Sequence, residues 1–473
     1  MALLSKKVHL FLGPTNSGKT HDAVAALCHT KRGAFASPLR MLAHEIYDKL
    51  CVKIGPSHVG LITGEERINE KARIICCTAE CTPPEGDVLV VDEAHWACDP
   101  ERGHVWTRLL MNRGYDEYYI IAAKETEGLL RKAYTDCDVD VTYKARLAKL
   151  DTKLRHFDFK RKLSNEFLPA AFVAFSRKSV MATADRLRKL GHKPAVVYGA
   201  LPPETRRIQI AKLMSGQCDT IVTTDVIGHG VNLPIESVVF TETDKYDGTE
   251  SRELRIWEGA QISGRAGRGP QSCGKVFYCA NANDDFLRDA LSAANGTRAT
   301  DLKVDVATIM PSLGELREHG ATDAVGLLTA LESWAEQFDG QSDWVQPLRE
   351  HSVYRRLEWF MDNVANETDA DTGSREAVWA LATAPISEQN WERVASEFWL
   401  GERLLEVQPV KSTDDLMALE QAISWVNDLR VVKLMGGKLG NSLRVEGDLD
   451  KIYKDAVELL NVRLEKKAAG GRR

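Results

Sequence analysis

The chain has 473 residues, 44% of them hydrophobic and 27% charged, which suits about three folded domains and excludes a chain disordered throughout. No apolar run approaches the ~20 residues that cross a bilayer, so a membrane-spanning helical protein is excluded and no membrane partner is expected. Lys and Arg number 62 against 68 Asp and Glu, a net charge of −6, so any basic surface has to be a local groove rather than a whole face.

Met1 runs through Lys6 and Lys7 straight into Val8-His9-Leu10-Phe11-Leu12, which reads as a first strand. It shows neither a secretory apolar region nor an Arg/Ser-rich transit pattern, and the expected compartment is the cytoplasm. The ten cysteines follow no repeating framework and are expected as reduced thiols. Cys76, Cys77 and Cys81 cluster, but no second pair stands at zinc spacing. They read as thiols of a buried strand and its following loop.

Apolar runs at 8–12, 34–37, 58–62, 73–77, 88–91 and 118–122 alternate with amphipathic stretches such as 42–50. This alternation predicts an α/β fold, a parallel sheet with helices on both faces. A charged stretch at 144–162, with Arg146, Lys149, Lys153, Arg155, Lys160, Arg161 and Lys162, is the expected linker. The alternation then restarts at 171–175, 195–198, 220–223, 237–240 and 275–279. Beyond about Asp301 helical periodicity dominates. Seven of the ten tryptophans fall there, most within patterns such as Leu327, Leu328, Leu331, Trp334 and Phe338 that suit helix packing. The expected division is 1–150, 151–300 and a mainly helical 301–473, with a frayed basic tail and no fixed-period repeat.

Three segments carry chemistry. Gly13-Pro14-Thr15-Asn16-Ser17-Gly18-Lys19-Thr20 follows a predicted strand and opens a helix, the setting of a phosphate-binding loop. Its amides and helix N-terminus suit an anion. Lys19 would reach the β- and γ-phosphates, and the Thr20 hydroxyl would bind Mg²⁺. Next, Val88-Leu89-Val90-Val91 ends in Asp92-Glu93-Ala94-His95. Asp92 would hold Mg²⁺ through its water shell, Glu93 would orient and deprotonate the attacking water, and His95 would link this site to the neighbouring domain. Third, Gln261-Ile262-Ser263-Gly264-Arg265-Ala266-Gly267-Arg268 places two arginines three apart on one helical turn. They would reach the γ-phosphate from across a cleft as arginine fingers, with Gln261 helping to place the water.

These three segments in this order resemble the superfamily two DExH helicases. The match narrows to the suppressor-of-var-three type, the mitochondrial degradosome RNA helicase family with its bacterial relatives. It rests on residues 13–20, Pro38-Leu39-Arg40-Met41-Leu42-Ala43-His44-Glu45, Thr63-Gly64-Glu65-Glu66-Arg67, Gly199-Ala200-Leu201-Pro202-Pro203 and Thr224-Asp225-Val226-Ile227-Gly228-His229-Gly230-Val231-Asn232-Leu233. It covers about residues 6–282. A fainter likeness continues to Ala382-Thr383-Ala384-Pro385-Ile386.

The resemblance implies two tandem RecA-like parallel-sheet domains followed by a mainly helical C-terminal region. It implies Mg²⁺ and ATP between the two domains, with Gly228 among the nucleotide contacts. It implies a single strand held along Arg40, Thr78, Ser176, Arg177, Thr223 and Thr224 at strand ends, through phosphate contacts that do not read sequence. The polar interval 241–257 stands where related enzymes carry a strand-splitting hairpin; a plain surface loop suits its composition as well. The implied activity is ATP-driven three-prime to five-prime travel and unwinding of single-stranded or partly duplex RNA, with the C-terminal region roofing the strand and an exoribonuclease or RNA-processing protein as partner. DNA as the track, or a clamp or assembly factor that hydrolyses ATP without unwinding, are the alternatives.

Two departures stand out. Ala94-His95 follow the acidic pair where mitochondrial members carry another pair, and Ala122-Ala123-Lys124-Glu125 occupy the place of the usual Ser-Ala-Thr coupling segment. Twelve residues ahead of Gly13 leave no room for an adenine-reading motif, so weak nucleobase selectivity is expected.

Overall fold

The computed structural model describes residues 6–64, 66–228, 233–246, 250–267, 272–364, 375–399, 405–411, 413, 415–435 and 445–469. It forms two compact units: Met1–His95 with Asn112–Val304 and Leu464–Arg473, and Trp96–Met111 with Asp305–Arg463.

The first unit holds two sheets. The first is built from Lys7–Leu12 (β1), Gly33–Ser37 (β2), Val59–Ile62 (β3), Arg67–Ile68 (β4), Ile74–Thr78 (β5), Gly86–Val91 (β6), Tyr115–Ala122 (β7) and Asp138–Tyr143 (β8), in the order β4-β3-β5-β2-β6-β7-β1-β8. Every pairing is parallel except the short β4 against β3. Every residue of β2 and β5 is buried, as expected for central strands covered by helices on both faces. The second sheet takes Arg155–His156 (β9), Ala170–Val173 (β10), Pro194–Val197 (β11), Thr220–Thr223 (β12), Ser237–Glu242 (β13) and, after a separate hairpin of Asp244–Tyr246 (β14) and Ser251–Glu253 (β15), Lys275–Asn281 (β16). Its order is β11-β12-β10-β13-β16-β9, parallel throughout. These are two RecA-like α/β sheets.

The helices in chain order are Lys19–His29 (α1), Arg40–Ile54 (α2), Gly103–Met111 (α3), Glu127–Ala133 (α4), Arg177–Lys189 (α5), Pro203–Met214 (α6), Ile256–Ser263 (α7), Asp284–Ala294 (α8), Leu313–Glu318 (α9), Leu327–Phe338 (α10), Ser352–Asn363 (α11), Arg375–Ala382 (α12), Glu388–Trp399 (α13), Leu416–Leu434 (α14) and Leu449–Ala469 (α15). No helix among the described residues is long and apolar enough to cross a membrane.

The segment expected as a linker is largely built into the fold. Ala148, Leu150, Phe157 and Leu163 are buried, and β9 extends the second sheet beside β16. Charge hid this, because the apolar residues are spaced singly between Lys and Arg. The edge strand β8 also escaped prediction, although its Asp-Val-Asp-Val alternation carries the period of a half-exposed strand.

The second unit is mainly helical and includes α3, which the chain order places far upstream. Gly103 has no room for a side chain: a Cβ there would stand 2.4 Å from Thr308 Oγ1 and 2.6 Å from Ala97 O. Arg108 donates to Met310 O at 2.7 Å and pairs with Glu315 at 2.6 Å. The expected tryptophan packing holds in α10, where Trp334 is buried and stacks on Phe338 with centroids 5.1 Å apart. The short segment 382–386 is gathered by Arg356 of α11, which donates to Ala382 O at 2.9 Å, Ala384 O at 3.0 Å and Ile386 O at 3.2 Å.

Candidate nucleotide site and nucleic-acid face

The phosphate loop leaves the C-terminal end of β1, and the acidic pair leaves the C-terminal end of β6. This is the edge at which parallel α/β sheets bind ligands. Gly13 is pinned there by its N–H to Ala122 O, 3.2 Å. Its φ of +156° and a Cβ position only 2.2 Å from Lys144 O exclude any other residue. Asn16 and Gly18 take left-handed backbone, φ 61° and 80°, which curls the loop ahead of α1. Lys19 folds back over this curl, donating to Gly13 O at 2.5 Å and Pro14 O at 2.7 Å. Burial lowers its pKa, against the pull of Glu93 and Asp92.

Asp92 is buried, and its Oδ1 accepts the Glu93 N–H at 2.9 Å. Burial and the adjacent Glu93 push its carboxyl up to about 8, against Lys19 and Arg265. Glu93 has φ 52°, a left-handed conformation that a non-glycine residue adopts at a cost and that clusters at functional sites. The buried His95 ring lies with Nδ1 3.4 Å from Glu93 Oε2, and burial holds its pKa down.

A cavity of about 760 Å³ is lined by the whole loop from Gly13 to Thr20 and by Asp92, Glu93 and His95. Gln261 and Arg265 from the second sheet's side line it too. Arg265 is fully enclosed and donates to Gly228 O, so Gly228 sits beside the arginine rather than facing the cavity itself. Arg268 and His229–Asn232 lie outside the described residues, as does Glu65. Ala123, Lys124 and Glu125, in place of the coupling segment, also line the cavity, and Glu125 Oε1 accepts from Thr300 at 2.5 Å.

The cavity's chemistry fits a polyphosphate with a divalent cation. Lys19, Arg265 and the N-terminus of α1 all border this cavity. Thr20 supplies a hydroxyl to the cavity that the buried Asp92 also lines, and the Asp92 carboxylate is costly to ionise without a cation beside it. Oxygen donors of this kind suit Mg²⁺.

Several wall residues carried no sequence signal. Arg146 stands within the charged stretch and reads there as one more linker cation. In the fold it donates to Thr15 O at 3.0 Å, Gly264 O at 2.8 Å and Ala266 O at 2.7 Å. Trp257 lines the cavity on the face of α7 that carries Gln261, a 3.6-residue spacing that could have singled it out. The turn 296–302 contributes only through tertiary packing.

The residues expected to meet nucleic acid stand at strand ends. Ser37 and Thr78 are register partners at the ends of β2 and β5; Arg40 opens α2 directly after Leu39. Thr78 is buried. Val173 and Thr223 are partners at the ends of β10 and β12. Ser176 caps α5 by accepting from Ser179 N at 3.0 Å, with Arg177 as the first helical residue. Thr223 is buried with its hydroxyl on Thr224 O at 3.1 Å. Met41 and Thr223 line one small hollow, which brings the start of α2 to the end of β12. The interval 241–257 does hold a hairpin, β14 against β15, with Lys245 and Arg252 both paired to Glu258 of α7 at 2.5 and 2.9 Å.

Residues 2–145 match the family model described as the DEXQ-box helicase domain of Suv3, and residues 159–270 match the Helicase conserved C-terminal domain. An Oryza sativa protein named ATP-dependent RNA helicase SUV3L, mitochondrial, is 37% identical over 277 residues, which is 56% of this chain and 37% of that protein. A Saccharomyces cerevisiae protein named ATP-dependent RNA helicase SUV3, mitochondrial, is 35% identical over 276 residues, 56% of this chain and 37% of that one. The chain thus spans little more than a third of the length of these relatives. The solved Escherichia coli DEAH/RHA helicase HrpB superposes with a TM-score of 0.53 at 15% identity, covering 95% of this chain and 60% of that one, a likeness of fold alone. The cytoplasmic expectation is overturned: the relatives are named mitochondrial, and the first residues on which that expectation rested do not report compartment. Where the matching model is called DEXQ, this chain carries His95 as the fourth residue of the box. The phosphate loop and acidic pair thus fall within the part of the chain that is similar to the Suv3 helicase domain, and Gln261 and Arg265 within the part similar to the Helicase conserved C-terminal domain.

Proposed function

We propose that the chain is an ATP-dependent RNA helicase motor that travels three-prime to five-prime on single-stranded or partly duplex RNA. The observation that carries this reading is the convergence of Lys19, the Asp92–Glu93 pair and Arg265, delivered by two different sheets, on one cavity. Lys19 and the α1 N-terminus bind the phosphates. Thr20 and Asp92 would hold Mg²⁺, which when bound offsets charge on the phosphate oxygens. Glu93 accepts a proton from the water as its oxygen bonds the γ-phosphorus and the bond to the bridging oxygen breaks, releasing ADP and phosphate. Gln261 orients that water, and His95, against Glu93, holds the base in place. Arg265, with Arg268 three residues on, compensates the transition-state charge, so turnover depends on the two sheets closing on the ligand. Opening and closing step the strand along the edge marked by Arg40, Thr78, Ser176, Arg177, Thr223 and Thr224. The names of the matched relatives support RNA as the track, and an exoribonuclease or RNA-processing protein suits it as partner.

The test is the steady-state ATPase rate without nucleic acid, with single-stranded RNA and with single-stranded DNA of one sequence at fixed salt. Stimulation by RNA is expected, with turnover abolished by Glu93→Gln. Equal stimulation by DNA would replace the RNA reading with a general translocase. Turnover that neither polymer stimulates would leave an ATP-driven clamp.

A further inference from the structure

We propose that Arg146 is a third phosphate-facing cation and the clasp that closes the site: it ties the phosphate loop to the arginine-bearing segment and draws a triphosphate into the joint. This rests on the ATPase reading above. One guanidinium donates to both sides, to Thr15 O on the loop and to Gly264 O and Ala266 O beside Arg265. Asn16 adds a parallel link, Nδ2 to Gly267 O at 3.0 Å. The two segments touch at this point, for a Cβ on Gly264 would meet Thr15 Cβ at 3.2 Å.

The acceptors are all neutral carbonyls, which leave the charge uncompensated. Burial, and then the nearby Arg265, push Arg146 down to about 10, and no carboxylate among the described residues acts to raise it. Its Nε is shielded from solvent and has no hydrogen-bond partner among the described residues. A partly desolvated cation without a carboxylate gains from an anion beside it, and Arg146 lines the same cavity as Lys19 and Arg265. A nucleoside triphosphate spans both segments that Arg146 joins. A diphosphate held by the loop alone gains less from the clasp. The planar guanidinium matters because its fork serves three carbonyls at once, which an ammonium does not.

The experiment is titration of the full chain with fluorescent methylanthraniloyl derivatives of ADP and of the non-hydrolysable triphosphate analogue AMPPNP, in Mg²⁺. Arg146→Ala is expected to weaken the triphosphate analogue about tenfold or more, the scale of one lost charge-assisted contact, and ADP by less than about threefold. Arg146→Lys is expected to recover part of the loss. Arg146→Gln, which keeps donors for the carbonyls without the charge, decides by the same ratio if the alanine variant does not fold. Equal loss of both nucleotides would reduce Arg146 to a structural tie and overturn the proposal, as would unchanged affinity. Wild-type protein that bound neither nucleotide, and did not differ from Lys19→Ala, would overturn this inference and the ATPase reading together.

Discussion

Lys19 and Arg265 line one cavity, and each already has an acceptor within the protein. Lys19 is satisfied by carbonyls of its own loop, and Arg265 by Gly228 O. Lys19 is therefore held by neutral acceptors that a phosphate oxygen outcompetes, because charge-assisted bonds are about twice as strong. Arg265→Ala is expected to lower kcat by roughly a thousandfold, the range of a lost arginine finger, with KM for ATP changed by less than about threefold. Parallel losses in kcat and ATP affinity would instead assign Arg265 to ground-state binding. At this scale the sequence was informative for Lys19, Asp92, Glu93 and Arg265, since each stands in a spacing that serves one chemistry. Arg146 was not legible, because a half-buried guanidinium and a solvated one look the same within a basic run.

The hairpin β14–β15 is anchored by one residue outside it. Burial alone would raise the Glu258 carboxyl, but Arg252, Lys245 and the Arg255 N–H outweigh that and hold it at about 2. Against an ordinary 4.5, the depression stabilises the folded state by roughly 3 kcal/mol at neutral pH. A depressed carboxylate contributes in full above its unfolded pKa and loses its contribution as pH falls from about 4.5 towards 2. Glu258→Gln is expected to lower the thermal midpoint of the chain at pH 7, with the gap shrinking below pH 4.5 and closing only as pH approaches about 2. A gap that stays constant with pH would show that the ion pairs do not carry the anchor. The interval's polarity left loop and hairpin equally open, because three-residue strands are too short to show a period.

The second unit owes its integrity to packing between segments distant in sequence. Nine of the ten tryptophans lie in it, Trp257 being the tenth, so intrinsic fluorescence reports this unit almost exclusively. Arg356 serves three carbonyls of 382–386, pairs with Glu388 and lies over the Trp391 ring. Arg356→Met is expected to destabilise the unit by about 2–4 kcal/mol, the cost of leaving buried carbonyls without a donor. Urea denaturation followed by tryptophan emission measures it, and a midpoint matching wild type would show that the carbonyls find other donors.

Strand–helix alternation, and the placing of the 13–20 loop and the Asp92–Glu93 pair at strand ends, could be read from residue order alone. Each rests on contacts within a few residues, where spacing dictates geometry. Helical periodicity beyond residue 301 announced packing but not its partners. Tertiary structure alone decided that residues 96–111 build the second unit, that a basic stretch is a sheet edge and a cavity wall, and that Arg146 bridges Thr15, 131 residues before it, and Gly264, 118 residues after it. Such contacts depend on which chain segments meet in space. Local pattern does not encode that meeting, because the burial that turns a surface charge into a clasp is a property of the assembled core.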